Sequence, residues 1–177
     1  LLWRAPSKTS YGRNCTTPVI VDNWVIAGSY QNGLVGVKIS PEGGGLKAEQ
    51  FWTNKAAAMN FSSPVAVGQH LYGLGPSKNL ICVEAATGKI MWSKEGYFTT
   101  APNVAYAAFL VLGKNVLVCT DGGQLILMAA DPSACREISR AQVCGLNWCS
   151  PAYADGRLFV RDGIKATGNL YCLDLLH

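Results

Sequence analysis

The stretch FSSPVAVGQHLYGLG (61–75) returns in altered form as CTTPVIVDNWVIAGS (15–29) and CSPAYADGRLFVRDG (149–163). Aligned on Pro18, Pro64 and Pro151, a weaker copy falls between the last two: AFLVLGKNVLVCTDGG (108–123), with Phe109 in the proline position. The offsets are 46, 45 and 42 residues. A period in the forties marks repeated supersecondary units, either four-stranded propeller blades or helix pairs.

The internal pattern decides between them. Each copy opens on a short apolar run (PVIV, PVAV, FLVL, PAYA) and turns at Asp22-Asn23, Gly68-Gln69, Gly113-Lys114 or Asp155-Gly156. These residue types tolerate the positive φ that tight hairpins need. A second run follows (WVIAG, LYGLG, VLVCT, LFVRD), then a third (LVGVKI, LICVEA, LILMAA, LYCLDL). A fourth is seen as EQFWT around Trp52, KIMWS around Trp92 and REISRA around Ile138. Val, Ile, Leu, Tyr and Trp between regularly spaced turns spell strands. No segment holds a 3.6-residue period for three turns, which helix pairs would require. The sequence predicts an all-β chain: a β-propeller of four-stranded antiparallel blades, about four of them, over residues 15–54, 61–94, 107–141 and 149–177.

The two ends are complementary. LLWR (1–4) matches a fourth strand, with Trp3 standing where Trp52 and Trp92 stand, and the last copy stops after its third strand. That orphan outer strand closes a four-bladed ring, or the chain is an arc or half of a larger ring, completed by further sequence or by a second copy. The arc is the favoured expectation, because four blades is at the lower limit of propeller size.

Of 177 residues, 49% are hydrophobic and 15% charged, with a net charge of +4, so the chain is core-rich and not disordered. The basic residues are dispersed, which argues against nucleic-acid binding. The longest uncharged apolar stretch, APNVAYAAFLVLG (101–113), is shorter than the ~20 residues of a membrane-spanning helix. No signal-peptide pattern is present. The seven cysteines include no C-x-x-C, and neither they nor the two histidines give a metal-ligand spacing. No nucleophile elbow, Walker loop or H-E-x-x-H occurs.

One repeat carries a family signature. LICVEAATGKIMWSK (80–94) resembles the repeat of the pyrroloquinoline-quinone-type (PQQ-like) propellers, matching it at Thr87, Gly88, Lys89 and Trp92. LYCLDL and LLWR match its two ends, and SSPV and SPAY its opening; ADPSACREISR (130–140) lacks both the Gly-Lys and the Trp. The resemblance implies that Trp3, Trp52 and Trp92 dock adjacent blades. Gly88 is free to take the left-handed turn between the third and fourth strands.

The resemblance also raises quinone chemistry. Catalytic members carry adjacent cysteines, a calcium held by carboxylates and amides, and a catalytic aspartate; here no two cysteines are adjacent. The chain is therefore expected to be a non-catalytic member without cofactor, binding or scaffolding a protein or carbohydrate partner. The alternative is part of a PQQ- and calcium-dependent dehydrogenase. Family relatives, among them the lipoprotein scaffold of the outer-membrane β-barrel assembly machinery, imply a periplasmic or cell-envelope location. The links from each fourth strand to the next first strand are expected to gather at one rim. They offer Arg4, Arg13, Asn60, Tyr97, Asn103, Asn147 and Trp148 as candidate partner-binding residues.

Overall fold

The computed structural model describes residues 1–7, 9–30, 32–98, 105–163 and 167–175. Fifteen strands make up the regular structure of these residues, apart from two single-turn 3-10 helices at Ser10–Gly12 and Lys55–Ala57. Blade 1 is β1 (Val19–Val21), β2 (Trp24–Ser29), β3 (Gly33–Glu42) and β4 (Gly45–Asn54). Blade 2 is β5 (Val65–Val67), β6 (His70–Leu74), β7 (Leu80–Glu84) and β8 (Ile90–Lys94). Blade 3 is β9 (Ala107–Leu112), β10 (Asn115–Thr120), β11 (Gln124–Ala129) and β12 (Arg136–Gln142). Blade 4 is β13 (Ala152–Ala154), β14 (Arg157–Arg161) and β15 (Leu170–Asp174).

Each blade is an antiparallel meander in strict sequence order, and no strand of one blade pairs with a strand of another. The tight turns sit where positive φ is affordable: Asp22 (50°), Gly68 (58°), Gly113 (61°) and Asp155 (49°) between first and second strands. Each complete blade carries one register shift in its fourth strand, leaving Phe51, Met91 and Ile138 as the extra residue of a β-bulge. A bulge bends and twists its strand, and here it turns the three side chains outward: all are exposed.

The core lies between blades. Leu71, Ile81 and Val83 of blade 2 face Ile26 and Leu34 of blade 1. The opposite face, with Tyr72, Leu80 and Cys82, meets Phe109, Val116, Ile126 and Met128 of blade 3. Leu117, Cys119 and Leu125 of blade 3 then meet Leu158 and Val160 of blade 4. Strands covered on both faces read as continuous apolar runs, which is why LICV and VLVC lack alternation.

Hydrogen bonds repeat with the sequence. Thr17 N–H donates to Ser63 Oγ (2.9 Å) and Ala107 N–H to Ser62 Oγ (2.9 Å), and the Tyr106 and Ser150 hydroxyls lie 3.2 Å apart. Gln69 Nε2 donates to Asp22 Oδ2 at 2.8 Å. The partners are 44 to 47 residues apart, one repeat, so each bond ties equivalent parts of adjoining blades.

Residues 1–4 form no strand. A lone outer strand needs a neighbour to pair with, and Leu1 and Leu2 stand exposed. Trp3 is half-buried on the free face of blade 1, in a cleft of about 350 Å³ shared with Val25, Ala27, Val35 and Val37.

Candidate functional site

The meander sends alternate turns to opposite ends of each blade. Links from fourth to first strands share one rim with the turns between second and third strands. On that rim the Arg13 guanidinium lies 4.7 Å above the Tyr30 ring and 5.8 Å from those of Tyr11 and Phe61. Phe61 touches Trp148 (centroids 5.5 Å apart), and Trp148 stacks on Tyr106 (5.9 Å, 22°). Five rings and one cation thus form a continuous ridge from the N-terminal link, across blades 1 and 2, to the links that open blades 3 and 4. Tyr11 is exposed, with backbone φ of 60°, and Trp148 is 40% exposed. Each such cation–ring contact contributes about 0.5–1 kcal/mol when exposed and ~2 when dry.

Phe61, Tyr106 and Trp148 occupy one position of the repeat, three residues before Pro64, Phe109 and Pro151. That position leads into the first strand of each blade, and there Trp148 meets both other rings. Beside them a cleft of about 220 Å³ is lined by Tyr30, Asn60, Phe61, Leu74 and Pro76. Its polar groups include the Asn60 amide.

The ridge thus unites Arg13, Asn60 and Trp148. The other rim candidates go elsewhere. Asn147 is wholly buried: its N–H donates to Asp121 O (3.0 Å) and its Nδ2 to Thr120 O (2.9 Å), pinning the link 143–150 onto blade 3. Nδ2 also lies 3.8 Å from both the Cys119 and Cys144 sulfurs. Burial pushes the Cys119 thiol up to about 12 and that of Cys82 to about 11. Tyr97 is half-buried against the core between blades 2 and 3, its hydroxyl 3.7 Å from Cys135 Sγ and its ring 5.3 Å below the Arg140 guanidinium. Arg4 is exposed beside Trp3, and Asn103 lies outside the described residues. Sequence reading missed Tyr30, Phe61 and Tyr106 as rim residues. For Phe61 and Tyr106 the signal was available in the repeat position they share with Trp148; Tyr30 has no such mark.

Between blades, Trp52 Nε1 donates to Ala85 O (3.1 Å) and Trp92 Nε1 to Asp131 O (2.8 Å). The Trp52 indole lies between Gly36 of its own blade and Gly88 of the next. A methyl added at either would stand 2.1 and 2.4 Å from the ring, and Gly88 has φ of 72°.

The carboxylates that could offer oxygen to a calcium ion have other partners. Glu42 and Glu49 flank Lys47, Glu84 accepts from the Thr87 hydroxyl, and Asp131 accepts from Ser133. Among the described residues, no three His, Cys, Asp or Glu side chains converge on a space for a metal ion. Asp162 serves the fold: it accepts from Asn169 N (2.7 Å), Gly145 N (3.0 Å) and the Tyr171 hydroxyl (2.8 Å). Those backbone N–H groups hold its carboxyl below the usual range. No helix of the described residues is long and apolar enough to cross a membrane.

Solved structures share the blade arrangement. BamB from Moraxella catarrhalis superposes with a TM-score of 0.64 at 14% identity, over 91% of this chain and 46% of that one. AztD from Citrobacter koseri gives 0.53 at 16% identity, over 92% and 44%, and its apo form gives 0.60 at 14%, over 90% and 44%. The chain therefore spans less than half the length of these proteins. No curated protein matches it. Residues 1–94, more than half of the 177, match the family model described as outer membrane protein assembly factor BamB. With its tandem meander blades and its Thr87-Gly88-Lys89 signature leading to Trp92, the chain belongs to that family of PQQ-like propellers.

Proposed function

We propose that the chain is a non-enzymatic binding module, part of a larger propeller of the cell envelope, that holds a protein partner on the ridge of Tyr11, Arg13, Tyr30, Phe61, Tyr106 and Trp148. The observation that carries this reading is the convergence of five rings and an arginine on one rim. Aromatic residues and arginine are the types enriched at the centres of protein interfaces. Their large, stiff side chains cover area at low entropic cost. The family description, an assembly factor for outer membrane proteins, supports a partner that is itself a protein.

The test is site-specific photocrosslinking in a bacterial envelope extract. A benzophenone amino acid at Trp148 should capture one protein species, and Arg13→Ala should weaken that capture at least tenfold. The same label at exposed Gly68, on the opposite rim, should not capture it. Equal capture from both rims, or none from Trp148, refutes the ridge as the binding surface.

A further inference from the structure

The guanidinium of Arg13 is held by rings alone. Tyr11, Tyr30 and Phe61 surround it, and among the described residues it makes no hydrogen bond and no ion pair. Ring contacts occupy the flat face of a guanidinium and leave its five N–H donors unspent. The chain does not lack carboxylates; it sends them elsewhere. All eleven Asp and Glu residues are described. Asp22, Glu42, Glu84, Asp131 and Asp155 sit at the opposite rim, and Glu49, Glu137 and Asp174 lie within strands. Three remain on the rim of the ridge: Glu95, Asp121 and Asp162. Asp121 and Asp162 are buried, and Asp162 is committed to three donors. Against the one exposed carboxylate, Glu95, the same rim carries Arg13, Lys55, Lys78, Lys94 and Arg161.

We propose that the partner held on the ridge is a polypeptide segment rich in carboxylates, one of which seats on the Arg13 guanidinium while neighbouring apolar side chains cover Phe61 and Trp148. This rests on the ridge being the binding surface, and adds the chemistry of what it holds. The planar fork of an arginine matches a carboxylate with two parallel hydrogen bonds, each about twice as strong as a neutral one. The rings already fix the guanidinium, so little side-chain freedom is lost when the carboxylate arrives. Arg13 lies over Tyr30 of blade 1 and faces Phe61 at the head of blade 2, so blades of this chain flank it on both sides. The surplus of positive charge around it draws acidic segments in and turns basic ones away. Rings packed beside the cation favour a polypeptide over an anionic lipid surface, because arginine and aromatic side chains together mark the centres of protein interfaces.

The experiment is a fluorescence-anisotropy titration with two fluorescein-labelled, C-terminally amidated peptides. One is Glu-Glu-Phe-Glu-Glu-Phe-Glu; the other has glutamine for every glutamate. The acidic peptide should bind saturably and at least tenfold more tightly than its neutral twin, with the gap closing as salt is raised. Arg13→Gln should weaken the acidic peptide at least tenfold. Arg13→Lys, which keeps the charge but not the fork, should recover only part of that loss. Lys114→Gln, exposed on the opposite rim, should leave binding unchanged. If Arg13→Gln does not fold, the two peptides carry the test on the unaltered chain. Equal affinity for both peptides overturns the carboxylate and leaves the aromatic ridge standing. Undiminished binding of the acidic peptide to folded Arg13→Gln overturns the seat at Arg13. Failure of both peptides to bind overturns the inference, while photocrosslinking from Trp148 decides the ridge separately. Phosphatidylglycerol vesicles that bind through Arg13 where the acidic peptide does not would also overturn it, in favour of a lipid surface.

Discussion

Replacing Trp52 by alanine tests whether an indole holds blade 1 to blade 2. The ring is half-buried, packed between Gly36 and Gly88, and its N–H donates to Ala85 O at 3.1 Å. Truncating a packed tryptophan costs about 3–5 kcal/mol. Partial exposure puts Trp52 at the low end, about 3 kcal/mol, of which the lost hydrogen bond accounts for ~1. For a domain of this size that is a fall of roughly 6–12 °C in melting temperature. Gly88→Ala acts on the same contact from the other side. It adds a methyl 2.4 Å from the ring and forces an L residue to φ of 72°. With Trp52 present, both the collision and the backbone strain are felt. With Trp52→Ala, only the strain remains, about 1–2 kcal/mol. Urea unfolding of the two single variants and the double should therefore be strongly sub-additive, with the double more stable than the sum of the singles allows. Additive losses, or an unmoved midpoint for Trp52→Ala, would refute blade docking through this indole.

Other outcomes follow from the burial and bonding of single side chains. Because Asp162 titrates below its unfolded value near 3.9, its hydrogen bonds stabilise the fold above that pH and cease to do so as pH falls through the folded pKa. The stability gap between the natural chain and Asp162→Asn should then narrow between roughly pH 5 and pH 2; a gap that widens on acidification would contradict the assignment. In maleimide labelling of the native protein, exposed Cys15 and Cys172 should react first, while Cys82 and Cys119 react only on unfolding. Peptide mapping by mass spectrometry reads this directly. Asn147→Ala leaves the Thr120 carbonyl without its amide and should cost about 1–3 kcal/mol in denaturant unfolding. Ile138→Lys, on the exposed bulge, should change stability by less than ~0.5 kcal/mol.

Strand positions were legible because each turn demands its own residue chemistry. Asp22, Gly68, Gly113 and Asp155 mark hairpins at positive φ, and every apolar run between such marks is a strand. The segment 1–4 reads as a strand in isolation and is none here, because pairing is a property of the neighbour as much as of the sequence. The rim was legible only as a list of links. Asn147 sits in such a link yet is spent on backbone carbonyls, and a lone asparagine gives no sign of which way it faces. The ridge joins residues as far apart as Tyr11 and Trp148, so its contacts exist only once the blades are placed side by side. The cysteine spacings point to no partner, and the structure places Cys119 and Cys144, 25 residues apart, around one amide.

The hydrogen bonds that span one repeat bear on how the molecule comes apart. Ties between equivalent positions make each interface a nearest-neighbour bond, so loss of order travels along the row like the opening of a zip. The seam between blades 3 and 4 has Ser139 where its forerunners have tryptophan. Amide protons of β13 to β15 should accordingly exchange with solvent first, while the shared wall of blades 2 and 3, sealed by Trp92, gives way last.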